Sequence, residues 1–146
     1  MSISFVQLER AQLGDGVVPE GGALVFDRVV SSAGTQISYN AAAGTITLNQ
    51  AGFYYIDWYV APFFGLTTDG SNWAIQTTLG GLAIVGSSHT KVSVTTGFAI
   101  LNVGAGETVQ LVNVADGAVS LSPFVLSKAG LIAYSVAMQM TSGVGV

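Results

Sequence analysis

Residues 52–61 read Gly52-Phe53-Tyr54-Tyr55-Ile56-Asp57-Trp58-Tyr59-Val60-Ala61, and their period is two. Tyr54, Ile56, Trp58 and Val60 fall on one side of that repeat; Phe53, Tyr55, Asp57 and Tyr59 fall on the other. Aromatic and β-branched side chains suit a pleated surface. Because both sides are largely apolar, the stretch predicts a β-strand covered on both faces. Half of the chain's aromatic residues lie between Phe53 and Phe64, so the centre of the core is expected here.

Similar runs recur on either side, separated by turn residues. They are Ala23–Val30, Gln36–Tyr39, Thr45–Asn49, Trp73–Leu79, Leu82–Val85, Val92–Val103, Thr108–Val114, Ala118–Leu121 and Leu131–Met140. Gly80-Gly81 between two runs predicts a two-residue hairpin, and Ala115-Asp116-Gly117 a second tight turn. Asn40 and Gly44 flank a third, since Asn tolerates a left-handed backbone and Gly adopts it freely. No stretch joins a 3.6-residue period to helix caps. About ten short strands with turn punctuation predict an all-β sandwich or barrel.

The chain has 146 residues, a length that suits one domain. Only 8% of residues are charged, against about 25% in an ordinary soluble domain. Four Lys and Arg scattered through a chain of net charge −4 exclude a nucleic-acid binder that works by phosphate neutralisation. They exclude a polybasic membrane anchor as well. The absence of cysteine removes disulfides, thiolate metal sites and cysteine nucleophiles. A single histidine, His89, rules out a multi-histidine metal site within one chain. Residues 129–146 carry no charge, but Gly130, Tyr134, Ser135, Gln139, Ser142 and Gly145 interrupt them, so no membrane insertion is expected. Residues 1–20 lack the basic start and continuous apolar core of a secretory signal. So little charge on so hydrophobic a chain implies a surface buried against other copies, or an inert shell.

Residues 1–17 read as an N-terminal arm to a domain spanning 18–146, with Gly14-Asp15-Gly16 breaking the chain between them. Ile3, Phe5 and Leu8 are the arm's apolar side chains. An unpaired apolar strand of this kind completes the sheet edge of another copy by strand addition. A head-to-tail contact that does not close then builds a fibre.

Two groups of residues resemble a known family. The first is Phe26-Asp27-Arg28-Val29, then Tyr39-Asn40 through Gly44-Thr45-Ile46-Thr47, then Gly52-Phe53-Tyr54-Tyr55-Ile56-Asp57-Trp58. The second is Thr96-Gly97-Phe98-Ala99-Ile100-Leu101-Asn102-Val103, followed by Gly106-Glu107-Thr108-Val109-Gln110-Leu111. In this order they resemble the globular domain of complement C1q, over roughly residues 23–140. The resemblance implies a jelly-roll β-sandwich of about ten antiparallel strands, of the C1q/tumour-necrosis-factor type, assembled as a homotrimer. The low charge and Ser/Thr/Gly-rich loops are similar to the C-terminal domains of bacterial collagen-like spore-surface (exosporium) glycoproteins. That likeness implies a structural, non-enzymatic role on a bacterial spore or cell surface. In such a trimer Phe53, Tyr55, Trp58, Tyr59, Phe63 and Phe64 supply core and subunit interface. Loops carrying Asp69, Asn72 and His89 form the apex, through which relatives bind ligands or receptors; a binding module is therefore the alternative expectation.

The residues offer little catalytic chemistry. Ser87-Ser88-His89 with Asp69 has the residue types of a catalytic triad, but no strained Gly-x-Ser-x-Gly elbow presents the serine. Asp69-Gly70-Ser71-Asn72 offers oxygen ligands of the kind calcium takes, without the ligand count of a dedicated loop. No cofactor is expected. Asp57, a carboxylate among aromatics, needs a partner if buried. An ion pair with Arg28, or a place at a subunit boundary, is expected.

Overall fold

The computed structural model describes residues 3–11, 16–65, 70–78 and 81–136. It contains thirteen strands among these residues and no helix. One five-stranded sheet runs β3 (Arg28–Ala33), β1 (Phe5–Arg10), β13 (Ala129–Val136), β6 (Gly52–Val60), β10 (Thr95–Val103). The second runs β4 (Ile37–Asn40), β5 (Thr45–Leu48), β11 (Glu107–Asn113), β8 (Ser71–Thr77), β9 (Gly81–Ser88). A small third sheet joins β2 (Val17–Val18), β12 (Val119–Leu121) and β7 (Pro62–Gly65). Every strand pairing is antiparallel.

The core lies between the two larger sheets. Tyr54, Ile56, Trp58 and Val60 of β6 meet Ile46, Leu48, Trp73, Ile75 and Leu111 of the facing sheet. The period-two reading of residues 52–61 therefore describes the strand: the first set of side chains is buried and the second faces away from the core. The turn at Asn40–Gly44 forms as the residues require. Gly44 has φ 70°, its N–H bonds to the Asn40 carbonyl at 2.9 Å, and the Asn40 side chain accepts from Ala42 N–H at 2.9 Å. The β8–β9 hairpin also forms, although Thr77 pairs with Gly81, so three residues connect the strands where two were expected.

Two expectations are corrected. Residues 5–10 are not a free arm: β1 is hydrogen-bonded to β13 on one side and β3 on the other, and Val6 and Leu8 are buried in the core. A strand with both edges occupied has no edge left to donate to another copy, although Phe5 lies on the outward face of the sheet. Ile3, by contrast, is exposed. The run from Ala23 to Val30 is likewise not one strand. Residues 24–27 cross between the sheets, with Leu24 N–H on the Leu111 carbonyl and Phe26 N–H on the Tyr39 hydroxyl, before β3 begins.

One buried and one half-buried polar side chain hold the loops. Asn113 is fully buried; its side-chain NH2 donates to the carbonyls of Val18 (3.1 Å), Pro19 (3.3 Å) and Gly117 (2.9 Å), and its Oδ1 accepts from Ala115 N–H (3.0 Å). Asn113→Leu keeps the volume and orphans these groups, so a loss of about 1–3 kcal/mol is expected in urea denaturation. The Tyr39 hydroxyl donates to the Phe26 carbonyl and accepts from Phe26 N–H, both at 2.7 Å. Burial raises its pKa above 10.0, with the nearby Asp27 charge acting in the same direction and the Phe26 hydrogen bond and Arg10 opposing them. The fold thus favours the neutral phenol. That stability is complete below pH 10 and is lost as pH rises through the folded-state value. A melting temperature that falls above about pH 10, with a shallower fall in Tyr39→Phe, is the expected result. Tyr54, also raised by burial, adds the same trend to both proteins.

Candidate functional site

The strand registers place four rows of side chains on the outward face of the first sheet. One row is Ile100, Tyr55, Tyr134 and Phe5; the next is Phe98, Asp57, Ile132 and Gln7. Above the first lie Asn102, Phe53 and Val136; below the second lie Thr96, Tyr59, Gly130, Glu9 and Arg28. The two central rows, which end on β3 at Ala33 and Ser31, are apolar apart from Asp57, Gln7 and Ser31. Phe98 and Ile100 expose 62% and 65% of their surface. Phe53, Ile132 and Tyr134 are also exposed, and the Tyr55 and Tyr134 rings stack with centroids 5.1 Å apart. This face is apolar and aromatic, with Asp57 within it and further charge at its β1–β3 margin.

Phe53, Tyr55 and Tyr59 stand on this face, while Trp58 points the other way into the core. Phe63 and Phe64 do not belong to it. They sit on β7 in the third sheet, because the chain leaves the first sheet at Ala61, whose N–H bonds to the Lys128 carbonyl. Phe63 packs edge-to-face on Phe124, with centroids 5.1 Å apart. Phe98, Ile100, Ile132 and Tyr134 are exposed apolar residues of this face that a reading centred on one aromatic strand passes over. Their signal was present, since residues 97–101 are apolar at both parities, as residues 52–61 are.

Asp57 does not pair with Arg28. Arg28 instead meets Glu9 at 3.3 Å, on the far side of two strands. The nearest hydrogen bond to Asp57 comes from the Tyr55 hydroxyl at 3.3 Å. Burial and then the Asp57 charge push the Tyr55 pKa above 10.0. A depression of about 330 Å³ opens here, lined by Asp57, Tyr59, Gln7, Glu9 and Arg28.

Of the apical residues, Asp69 lies outside the described residues. Asn72 accepts a hydrogen bond from Ser87 Oγ at 2.7 Å, and His89 is exposed just beyond Ser88, so the two share one pole. Exposed Val92, Val94, Phe124 and Leu126 stand at the same pole. Val60 pairs with Thr95 on one side and Ala129 on the other, which brings the two loops out side by side. Among the described residues no three His, Asp or Glu side chains cluster as a metal site, and no helix is long and apolar enough to cross a membrane.

No protein-family model matches the chain, and no curated protein matches it in sequence. Solved structures do. The globular domain of zebrafish complement 1qA protein superposes with a TM-score of 0.65 at 13% identity, over 93% of this chain and 98% of that one. Murine APRIL crystallised at pH 8.5 gives 0.67 at 12% identity, over 92% and 99%. Murine APRIL at pH 8.0 gives 0.65 at 13% identity, over 92% and 99%. At these identities the likeness is one of architecture, and the chain has the C1q/TNF-like jelly-roll fold.

Proposed function

We propose that this chain is a non-enzymatic structural module that assembles as a homotrimer through the outward face of its first sheet. The observation behind the proposal is that face itself, with Phe53, Phe98, Ile100, Ile132 and Tyr134 exposed together. A folded monomer rarely leaves so contiguous an apolar patch in water. The motif resemblance to C1q supplies the number three. The sparse charge and Ser/Thr/Gly-rich loops support display on a bacterial spore or cell surface, where the trimer is a structural component. Sedimentation equilibrium of the purified chain at micromolar concentration is expected to return the mass of three chains; one chain's mass throughout would overturn the reading. Immunogold labelling of intact spores or cells tests the location, and labelling only after lysis would refute it.

A second reading is a trimeric binding module that acts through its apical pole. Exposed Val92, Val94, Phe124 and Leu126 around His89 favour it. Saturable binding to an immobilised glycan panel that is lost in Phe124→Ser/Leu126→Ser would support it.

A further inference from the structure

We infer that Asp57 of one copy pairs with Arg28 of the next, so that the depression around Asp57 is half of a site completed by the neighbouring subunit. The inference rests on the trimer proposed above and specifies its register. Asp57 stands between Phe98 and Ile132 in a row that the assembly buries, and a buried carboxylate is costly unless paired. Among the described residues of its own chain it has a long hydrogen bond from Tyr55 and no ion pair with a cation.

The sequence contains four Lys and Arg in all, and three of them are unsuited to this role. Arg10 is turned inward, donating from Nη1 to the Val25 carbonyl at 2.8 Å. Lys128 is wholly buried, with Nζ on the Val125 carbonyl at 3.0 Å. Lys91 lies in the polar loop beyond the start of β10. Arg28 remains, exposed, on the same sheet face as Asp57 and at its opposite margin.

Within one chain these two groups are three strand spacings apart, about 14 Å, too far to pair directly. A ring of three removes that separation. Its contacts are heterologous, so one margin of the face meets a different part of the same face on the next copy. The register proposed here places the ring axis along the strands, so that each residue keeps its own height. Arg28 is one row from Asp57, about 7 Å along the strand, which a guanidinium side chain spans. Lys91 lies well beyond, past the end of the sheet. Glu9, opposite Arg28 on the neighbouring strand, meets its guanidinium at 3.3 Å and leaves it largely exposed.

Charge reversal tests the pair by sedimentation. Asp57→Arg and Arg28→Asp are each expected to raise the trimer dissociation midpoint at least tenfold. The Asp57→Arg/Arg28→Asp double variant should return to within about threefold of wild type, and Lys91→Ala should leave the midpoint unchanged. Because Arg28→Asp also faces Glu9, a neutral pair provides a second route: Arg28→Met alone weakens the trimer, and Asp57→Leu added to it restores assembly. Far-UV circular dichroism confirms folding of each variant. A wild-type trimer that neither double variant restores, or that Lys91→Ala weakens as strongly as Arg28→Met does, overturns the pair and leaves the trimer standing. A wild type with the mass of one chain overturns both.

Discussion

Trp58→Ala is expected to lower stability by about 3–5 kcal/mol, the usual cost of removing a buried indole. For a chain of this size that is a melting temperature lower by on the order of 10 °C. The side chain is fully buried, and its ring lies against two glycines on β9 and β10, the edge strands where the two larger sheets meet. A Cβ at Gly97 of β10 would lie 2.3 Å from Trp58 Cζ2, and one at Gly86 of β9 would lie 2.6 Å from Cη2. Gly97→Ala is therefore expected to cost about 1–3 kcal/mol through overpacking. The cause can be isolated with a double-mutant cycle in urea. In a Trp58→Phe background the smaller ring clears the new methyl, and most of the Gly97→Ala penalty should vanish. An undiminished penalty would mean that β10 needs glycine for its backbone and not for the indole.

Ile100→Glu is expected to abolish assembly while leaving the fold intact. Ile100 is 65% exposed in the single chain and sits beside Tyr55 in the central apolar row. Glutamate there is harmless to a monomer. In the trimer it buries an unpaired charge at every interface, at about 3 kcal/mol or more each, or roughly a hundredfold in each contact. The variant should sediment as one chain where wild type sediments as three, with an unchanged circular dichroism spectrum. Gln76→Glu, on an exposed position of the second sheet, is the matched control and should remain trimeric. A trimeric Ile100→Glu would move the interface off this face.

Much of this architecture was legible because β-structure writes a local code. The alternation in residues 52–60 assigns each side chain to a face without reference to any other strand. Asn40 and Gly44 likewise specify their turn within five residues. Pairing partners carry no such local signal. Nothing near Phe5 or Leu8 indicates that they will lie beside β13, since Ser4 and Ser135, which hydrogen-bond to each other, are 131 positions apart. That is why an integral strand read as an arm. Phe63 and Phe64 were grouped with β6 because aromatic density crosses Ala61 without a break, whereas the chain changes sheet there. The separation of Asp57 from Arg28 is equally a product of strand order, which only the three-dimensional arrangement displays.

Strand order also sets a timetable. β13 is the last of the described strands in sequence, yet it lies at the centre of the first sheet, and without it that sheet falls into two separate pairs, β1–β3 and β6–β10. During synthesis the inner edge of β6, with its aromatic side chains, waits for roughly 70 further residues, about 4–14 s at ordinary elongation rates. Over that interval the nascent chain exposes its most adhesive strand with no partner for one edge. The first sheet therefore closes only once Ala129–Val136 is available to join its two halves.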